Sequence, residues 1–230
     1  MQDLAQQHRR YGYRRIYRLL RRRGQKVNRK RVQRLWQRAK LQVRRRARKR
    51  RRPTNPAPHQ ATHPHHVWTY DEVSDSCLSG TPLRILTVMD EFTREGLAIA
   101  VRRTFPARQV LAVLARLFEV HGPPAYLRSD NGPEFVALAV RGWLRHQRVQ
   151  TLYIDPGCPW QNGYEERFNG TVRDECLNSH AFASVAEAQV LCGAYLREYN
   201  EERPHSSLGY QTPLEFKRDW YGRQSPKDGL

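Results

Sequence analysis

Acidic residues are nearly missing from the first part of this chain. Residues 1–52 hold one acid, Asp3, against 23 Lys and Arg, a net charge of +22. Without acids, pairs four residues apart cannot balance the repulsion along a helix, so a merely solvated charged face is disfavoured. A polyanion is the expected partner of such an arm. Long apolar runs are also lacking. Nothing approaches the about 18 residues that mark a membrane span. The start of the chain has no apolar signal core, so secretion is not indicated. The arm has no continuous apolar face of membrane-binding size either, which favours nucleic acid over lipid. Cysteine is scarce: Cys77, Cys158, Cys176 and Cys192 are scattered with no C-x-x-C pair. This disfavours a disulfide framework or zinc knuckle and fits free thiols in a reducing cytoplasm.

The remainder is different in kind. Residues 53–230 carry 18 Lys and Arg against 21 acids, a net charge of −3, and hold most of the apolar residues. The length of 230 residues suits one mid-sized domain with a smaller appendage.

Within the arm, Ile16, Leu19 and Leu20 recur at helical spacing and Gly24 follows as a C-terminal cap. Asn28 is placed to cap a second helix, which carries Val32, Leu35, Trp36 and Ala39 in one stripe. Two short helices around a Gly-containing turn read as a helix-turn-helix over residues 1–43. Trp36 is expected to pack between the helices rather than read bases. The polar faces offer Arg14, Arg15, Arg29, Lys30, Arg31 and Arg34 to DNA, mainly through phosphates. Residues 44–66 form a linker, expected to be extended and mobile: an Arg/Lys run, then a stretch with four Pro and four His. His59, His63, His65 and His66 have no Cys or acid at ligand spacing, so they are not read as a zinc site.

From Val67 the pattern becomes that of a folded core, over residues 67–218, with a tail at 219–230. Strands are predicted at Val67–Val73, Leu83–Met89, Leu97–Val101, Ala125–Arg128 and Thr151–Ile154. Helices are predicted from Pro106 to Val120, Phe135 to Gln147, Asn162 to Leu177 and Val185 to Asn200. A run of strands followed by alternation with helices makes an α/β arrangement, a mixed sheet with helices on its faces.

Three acids stand out. Asp71 lies in the first core strand. Asp130 follows the strand Ala125–Arg128 directly, and Glu166 lies one turn into the helix from Asn162. Strand ends and the adjoining helix face are where sites collect in such sheets. Converging carboxylates repel one another unless a hard divalent cation holds them together. Two such ions clamp both oxygens of a phosphodiester exchange. Taken singly, Asp130 reads as a turn acid and Glu166 as a dipole-favoured helix start. The spaced triplet beside a polycationic arm points instead to phosphoryl transfer on nucleic acid.

The segments Trp68-Thr-Tyr-Asp71-Glu-Val-Ser-Asp75, Leu86-Thr-Val-Met-Asp90-Glu-Phe-Thr-Arg94 and Arg128-Ser-Asp130-Asn-Gly-Pro-Glu-Phe135 resemble the integrase core of bacterial insertion-sequence transposases. The stretches Pro156–Leu177 and Tyr199–Phe216 continue that resemblance, which is nearest to the OrfB proteins of the insertion-sequence-3 family. Between Asp130 and Glu166 lie 35 residues, the spacing of that family's DDE motif. Tyr11–Ile16 and Val27–Val32 look like its N-terminal helix-turn-helix.

The resemblance implies a ribonuclease H-like fold and a transposase that cuts the element's ends and joins the freed 3′-OH to a new strand, with no covalent enzyme intermediate. It implies two Mg²⁺ ions, for which Mn²⁺ substitutes, held by Asp71, Asp130 and Glu166. The implied partners are terminal-repeat and target DNA, an upstream-frame OrfA protein or fusion, and a second copy of the chain. The implied location is the bacterial cytoplasm, with the nucleoid. An upstream segment of the family protein is expected to precede this chain. The family usually has an apolar residue where Glu165 stands, so two adjacent acids compete for the third ligand position; motif alignment selects Glu166. Asn162, Glu166, Asn169 and Arg173 share one helix face by spacing, which would set Asn169 and Arg173 on the DNA backbone beside the metals. The alternatives are an idle OrfB that only binds DNA and a nuclease on the same fold that cuts without joining.

Overall fold

The computed structural model describes residues 1–43, 59–130, 132, 137–155 and 158–224, without the side chains of residues 159 and 160. The expected linker over 44–58, Asn131 of the turn after Asp130, the expected helix start at Phe135, the Trp160 ring and the end of the tail at 225–230 lie outside the described residues.

The arm is three short helices, α1 (Gln2–Gln7), α2 (Tyr13–Arg22) and α3 (Arg29–Arg38). Its stripes meet in part: Leu4, Tyr11, Ile16, Leu19, Leu20, Val32 and Trp36 form a small core of their own, whereas Leu35 of the expected stripe is exposed. Trp36 is buried there, between the helices. Gly24 adopts a positive φ of 77° just past α2, a conformation that costs Gly little. Asn28 caps α3 by accepting from the Lys30 N–H at 2.8 Å, a contact of about 1 kcal/mol.

The core is a five-stranded sheet in the order β3-β2-β1-β4-β5. β1 (Val67–Ser76), β2 (Pro82–Asp90) and β3 (Gly96–Arg102) form an antiparallel meander, while β4 (Tyr126–Ser129) and β5 (Gln150–Tyr153) run parallel to β1. Alternation along the strands divides the core between two faces. Trp68, Tyr70, Leu86, Val88 and Leu127 pack on one side under α4 (Ala107–His121) and α5 (Leu138–His146). Leu83, Ile85, Met89, Ile99 and Val101 pack on the other, under α6 (Gly163–Glu175) and α7 (Val185–Glu201).

Two expectations need correcting. Residues 59–66 are packed rather than an open extended linker: the His59 ring stacks on Tyr126, and His65 accepts a hydrogen bond from Trp68 Nε1 at 3.1 Å. Residues 219–224 continue a helix, α8 (Pro213–Gln224), rather than a tail. Phe92 meets Phe216 and Trp220 of that helix, an aromatic contact that burial of a surface-looking segment supplies.

Candidate active site

The sheet order sets the segments that carry the two aspartates side by side. β1 and β4 are parallel neighbours with Thr69 opposite Arg128. Asp71 stands two residues further along β1, and Asp130 directly follows the end of β4 at Ser129, the carboxyl-end side where ligands collect in such sheets. Asp71 also faces Thr87 of β2 across the antiparallel ladder. Odd-numbered residues of β1 and β2 therefore look toward α6, and the site forms between strand ends and that helix.

The Asp71 carboxylate is oriented on both oxygens. The Glu72 N–H donates to Oδ1 at 2.7 Å, and Asn169 Nδ2 of α6 donates to Oδ2 at 2.9 Å. The Thr87 hydroxyl donates to Asn169 Oδ1 at 2.8 Å, which fixes which end of the amide faces Asp71. Asp130 Oδ1 accepts from the Gly132 N–H at 3.0 Å. Just before it, Arg128 is buried in an ion pair with Glu91 at 2.7 Å and donates to the His59 carbonyl at 3.1 Å. That anchor holds the end of β4.

The start of α6 is tied down as well. The Thr69 hydroxyl donates to Asn162 Oδ1 at 2.5 Å. Gln161 and Asp155 exchange two hydrogen bonds of 2.8 Å across the preceding loop. Thr69, Thr87, Gln161 and Asn162 were not foreseen as positioning residues. For Thr69 and Thr87 a signal was present, polar side chains at odd positions on strands that bury Ile85 and Met89 at such positions; Gln161 and Asn162, just before α6, carry no such signal.

The adjacent acids on α6 have opposite fates. Glu166 is exposed. Glu165 is fully buried, on the stripe that continues through Phe168 and Val172. Neither Glu165 oxygen has a hydrogen-bond partner among the described residues. Burial pushes its carboxyl well above the usual range, with Asp71 and Glu91 adding to the rise; the nearby Thr87 and Thr69 hydroxyls pull the other way. Among the described residues, no three His, Cys, Asp or Glu side chains are gathered closely enough to hold an ion by themselves.

The residues expected on DNA are distributed unevenly. Arg29, Lys30, Arg31 and Arg34 are exposed on α3, and Arg14 is exposed on α2. Arg15 is turned to the core, where its guanidinium meets the buried Glu175 at 2.9 Å. Arg203 also grips Glu175, through contacts of 2.6 and 2.7 Å. Burial alone would raise the Glu175 carboxyl, but Arg203 and Arg15 hold it below the usual range. Asn169 serves Asp71, and Arg173 reaches the Ser74 carbonyl at 2.5 Å and Asp75 at 3.4 Å. Both therefore bond to the protein's own β1. Glu72, on the opposite strand face from Asp71, pairs with Arg84 at 3.0 Å.

An integrase core domain model matches residues 61–159, a second integrase core domain model matches 147–213, and an HTH-like domain model matches 1–50. An uncharacterised protein of insertion element IS407 from Burkholderia multivorans is 41% identical, over 93% of this chain and 78% of its own length. An uncharacterised protein of insertion element IS476 from Xanthomonas euvesicatoria is 40% identical over 97% of this chain, which spans 65% of that relative. The putative transposase InsK of insertion sequence element IS150 from Escherichia coli is 27% identical over 92% of this chain and 79% of its length. Among solved structures, a simian T-cell lymphotropic virus intasome chain aligns with a TM-score of 0.62 at 16% identity, covering 75% of this chain and 59% of that one. The HTLV-2 integrase catalytic core in complex with magnesium aligns with a TM-score of 0.57 at 14% identity, covering 69% of this chain and 99% of that core. At such identities the likeness speaks for the fold alone, and that fold is the ribonuclease H-like arrangement. No helix among the described residues is long and apolar enough to cross a membrane. By sequence, the chain belongs to the insertion-element transposase family, with a helix-turn-helix-like arm ahead of an integrase core.

Proposed function

We propose that this chain is a metal-dependent DNA transposase that cuts the ends of an insertion element and joins them to new DNA, acting in the cytoplasm on the bacterial chromosome. One observation carries the reading: the Asp71 carboxylate on β1 is held from α6, and Asp130 directly follows β4, the parallel neighbour of β1. Transposase is also the name of the Escherichia coli relative, and magnesium is named with the HTLV-2 core.

The donor set suits Mg²⁺. Carboxylate oxygens are hard donors, with amides and hydroxyls around them and no thiol or imidazole among the proposed ligands. An open set also suits an ion that keeps water and substrate phosphates among its ligands. Asp71, Asp130 and Glu166 would hold two ions, with Mn²⁺ as a substitute. Glu166 takes the third place because it is exposed at the start of α6, whereas Glu165 fills the core stripe. When bound, the ions lower the pKa of the attacking water or 3′-OH and stabilise the leaving oxygen. The protein's part is to hold the carboxylates in place: Asn169, itself turned by Thr87, holds Asp71, and Arg128 holds the strand end before Asp130. DNA is the substrate and partner. Pairing two element ends calls for at least two copies, and an upstream-frame protein or fusion completes end recognition.

The test is strand transfer with labelled element ends in Mg²⁺. Asp130→Asn and Glu166→Gln should abolish joining, while Glu165→Gln should retain it. Undiminished activity in Asp130→Asn would sink the mechanism. Loss in Glu165→Gln with retention in Glu166→Gln would move the third ligand to Glu165.

A further inference from the structure

The arm sits on an acidic seat. Besides Arg15 on Glu175, Arg10 meets Asp174 at 2.6 Å, Tyr11 donates to Glu198 at 3.3 Å, and Arg22 pairs with Glu215 and donates to the Glu202 carbonyl at 3.0 Å. Seating the arm this way leaves a groove of about 2450 Å³ between arm and core. Gln33 and Gln37 of α3 line one wall; Tyr164, Arg167 and Thr171 of α6 line the other. Small-molecule sites run to about 300–1,000 Å³, so this space suits a polymer.

The charge in the groove points the same way. The acids of its lining are already engaged: Glu91 by Arg128, Asp174 by Arg10, Glu175 by Arg15 and Arg203, and Glu198 by His8 and Tyr11. Arg9 and Arg167 are exposed in the lining and enter no ion pair among the described residues. The exposed Tyr164 carries the Arg94 guanidinium 3.6 Å from its ring centroid, a planar pair of the kind on which bases stack.

We propose that a DNA strand passes from α3 through this groove to the first turn of α6, and that the seated arm builds the groove by supplying one of its walls. The destination of the strand rests on the transposase reading; the binding site does not. The experiment measures binding of a short duplex of generic sequence, and of its single strand, to the full chain by fluorescence anisotropy. Gln37→Glu and Thr171→Glu, which place a negative charge on opposite walls, should each weaken binding about tenfold. Val120→Glu, on the opposite face of the core, should leave it unchanged. Arg22→Glu should weaken binding by loosening the seat. Adding Glu215→Arg should restore it, whereas adding Glu119→Arg, with the same net charge and no place in the seat, should not. Wild-type binding by both wall variants, with loss in Arg34→Glu, would overturn the groove and leave DNA on α3 alone. Equal rescue by Glu119→Arg would overturn the role of the seat. None of these readouts uses joining activity, so a chain that binds through the groove but never joins ends overturns only the catalytic reading.

Discussion

Asn169 illustrates how much a single amide can hold at this site. It donates to Asp71 and accepts from Thr87, so it links β1, β2 and α6 at the carboxylate itself. Partners of metal-ligating carboxylates typically contribute about 10–100-fold to affinity or activity. Asn169→Ala is therefore expected to lower strand transfer by about that factor. Its melting temperature should stay near that of the wild type, and a measured collapse of the fold would assign Asn169 to stability instead. His205 makes a different case. Burial, with Arg203 beside it, pushes it down to about 2. It is neutral when folded and takes a proton only when unfolded, below its ordinary value of 6.5. Its contribution to stability is thus complete above that value and falls as pH drops below it, by about 1.4 kcal/mol per pH unit. Thermal melts should show the gap between wild type and His205→Gln narrowing from about pH 7.5 to about pH 5.

At the scale of elements, α6 serves two neighbours at once. Phe168 and Val172 bury into the core, while Asn162 and Asn169 reach polar groups on β1. Glu165 occupies the buried stripe with a carboxyl that lacks a hydrogen-bond partner among the described residues. An unsatisfied buried polar group costs about 1–3 kcal/mol. Glu165→Ile should therefore raise stability by about that amount near neutral pH. The sign with pH follows from the upward shift. Above the ordinary carboxylate range the unfolded chain ionises while the folded one stays protonated, so the wild type loses stability as pH rises and the advantage of the variant grows. Denaturant titrations at acid and neutral pH check this; an advantage that shrinks with pH would contradict the burial of a neutral carboxyl.

For the whole molecule, charge is arranged in two layers. The cations of α3 face outward, whereas Arg10, Arg15 and Arg22 hold acids of the core. DNA affinity should still fall steeply with salt, by about 10³ or more between about 50 and 200 mM, because phosphate contacts release counterions. Deleting residues 1–52 should flatten that slope. An equally steep slope after deletion would move the main phosphate contacts from the arm to the core.

The sequence alone marked most of the elements and the class of sheet, and singled out the three acids as a spaced set, because period-2 and helical patterns and motif spacing are local properties of a chain. It also showed a polycationic arm, since charge is countable. It did not reveal which cations would be taken by the core. Arg14 and Arg15 are neighbours of one type, yet one is exposed and the other meets Glu175, 160 positions away. Nor did it reveal α8, the packed histidines, or the Thr87–Asn169–Asp71 chain, because each depends on pairing between distant segments. Motif alignment had favoured Glu166 over Glu165, but tertiary structure alone gave them their surroundings: one residue of helical rotation puts Glu165 in the core and Glu166 in water, and only the packing of α6 against the sheet decides which is which.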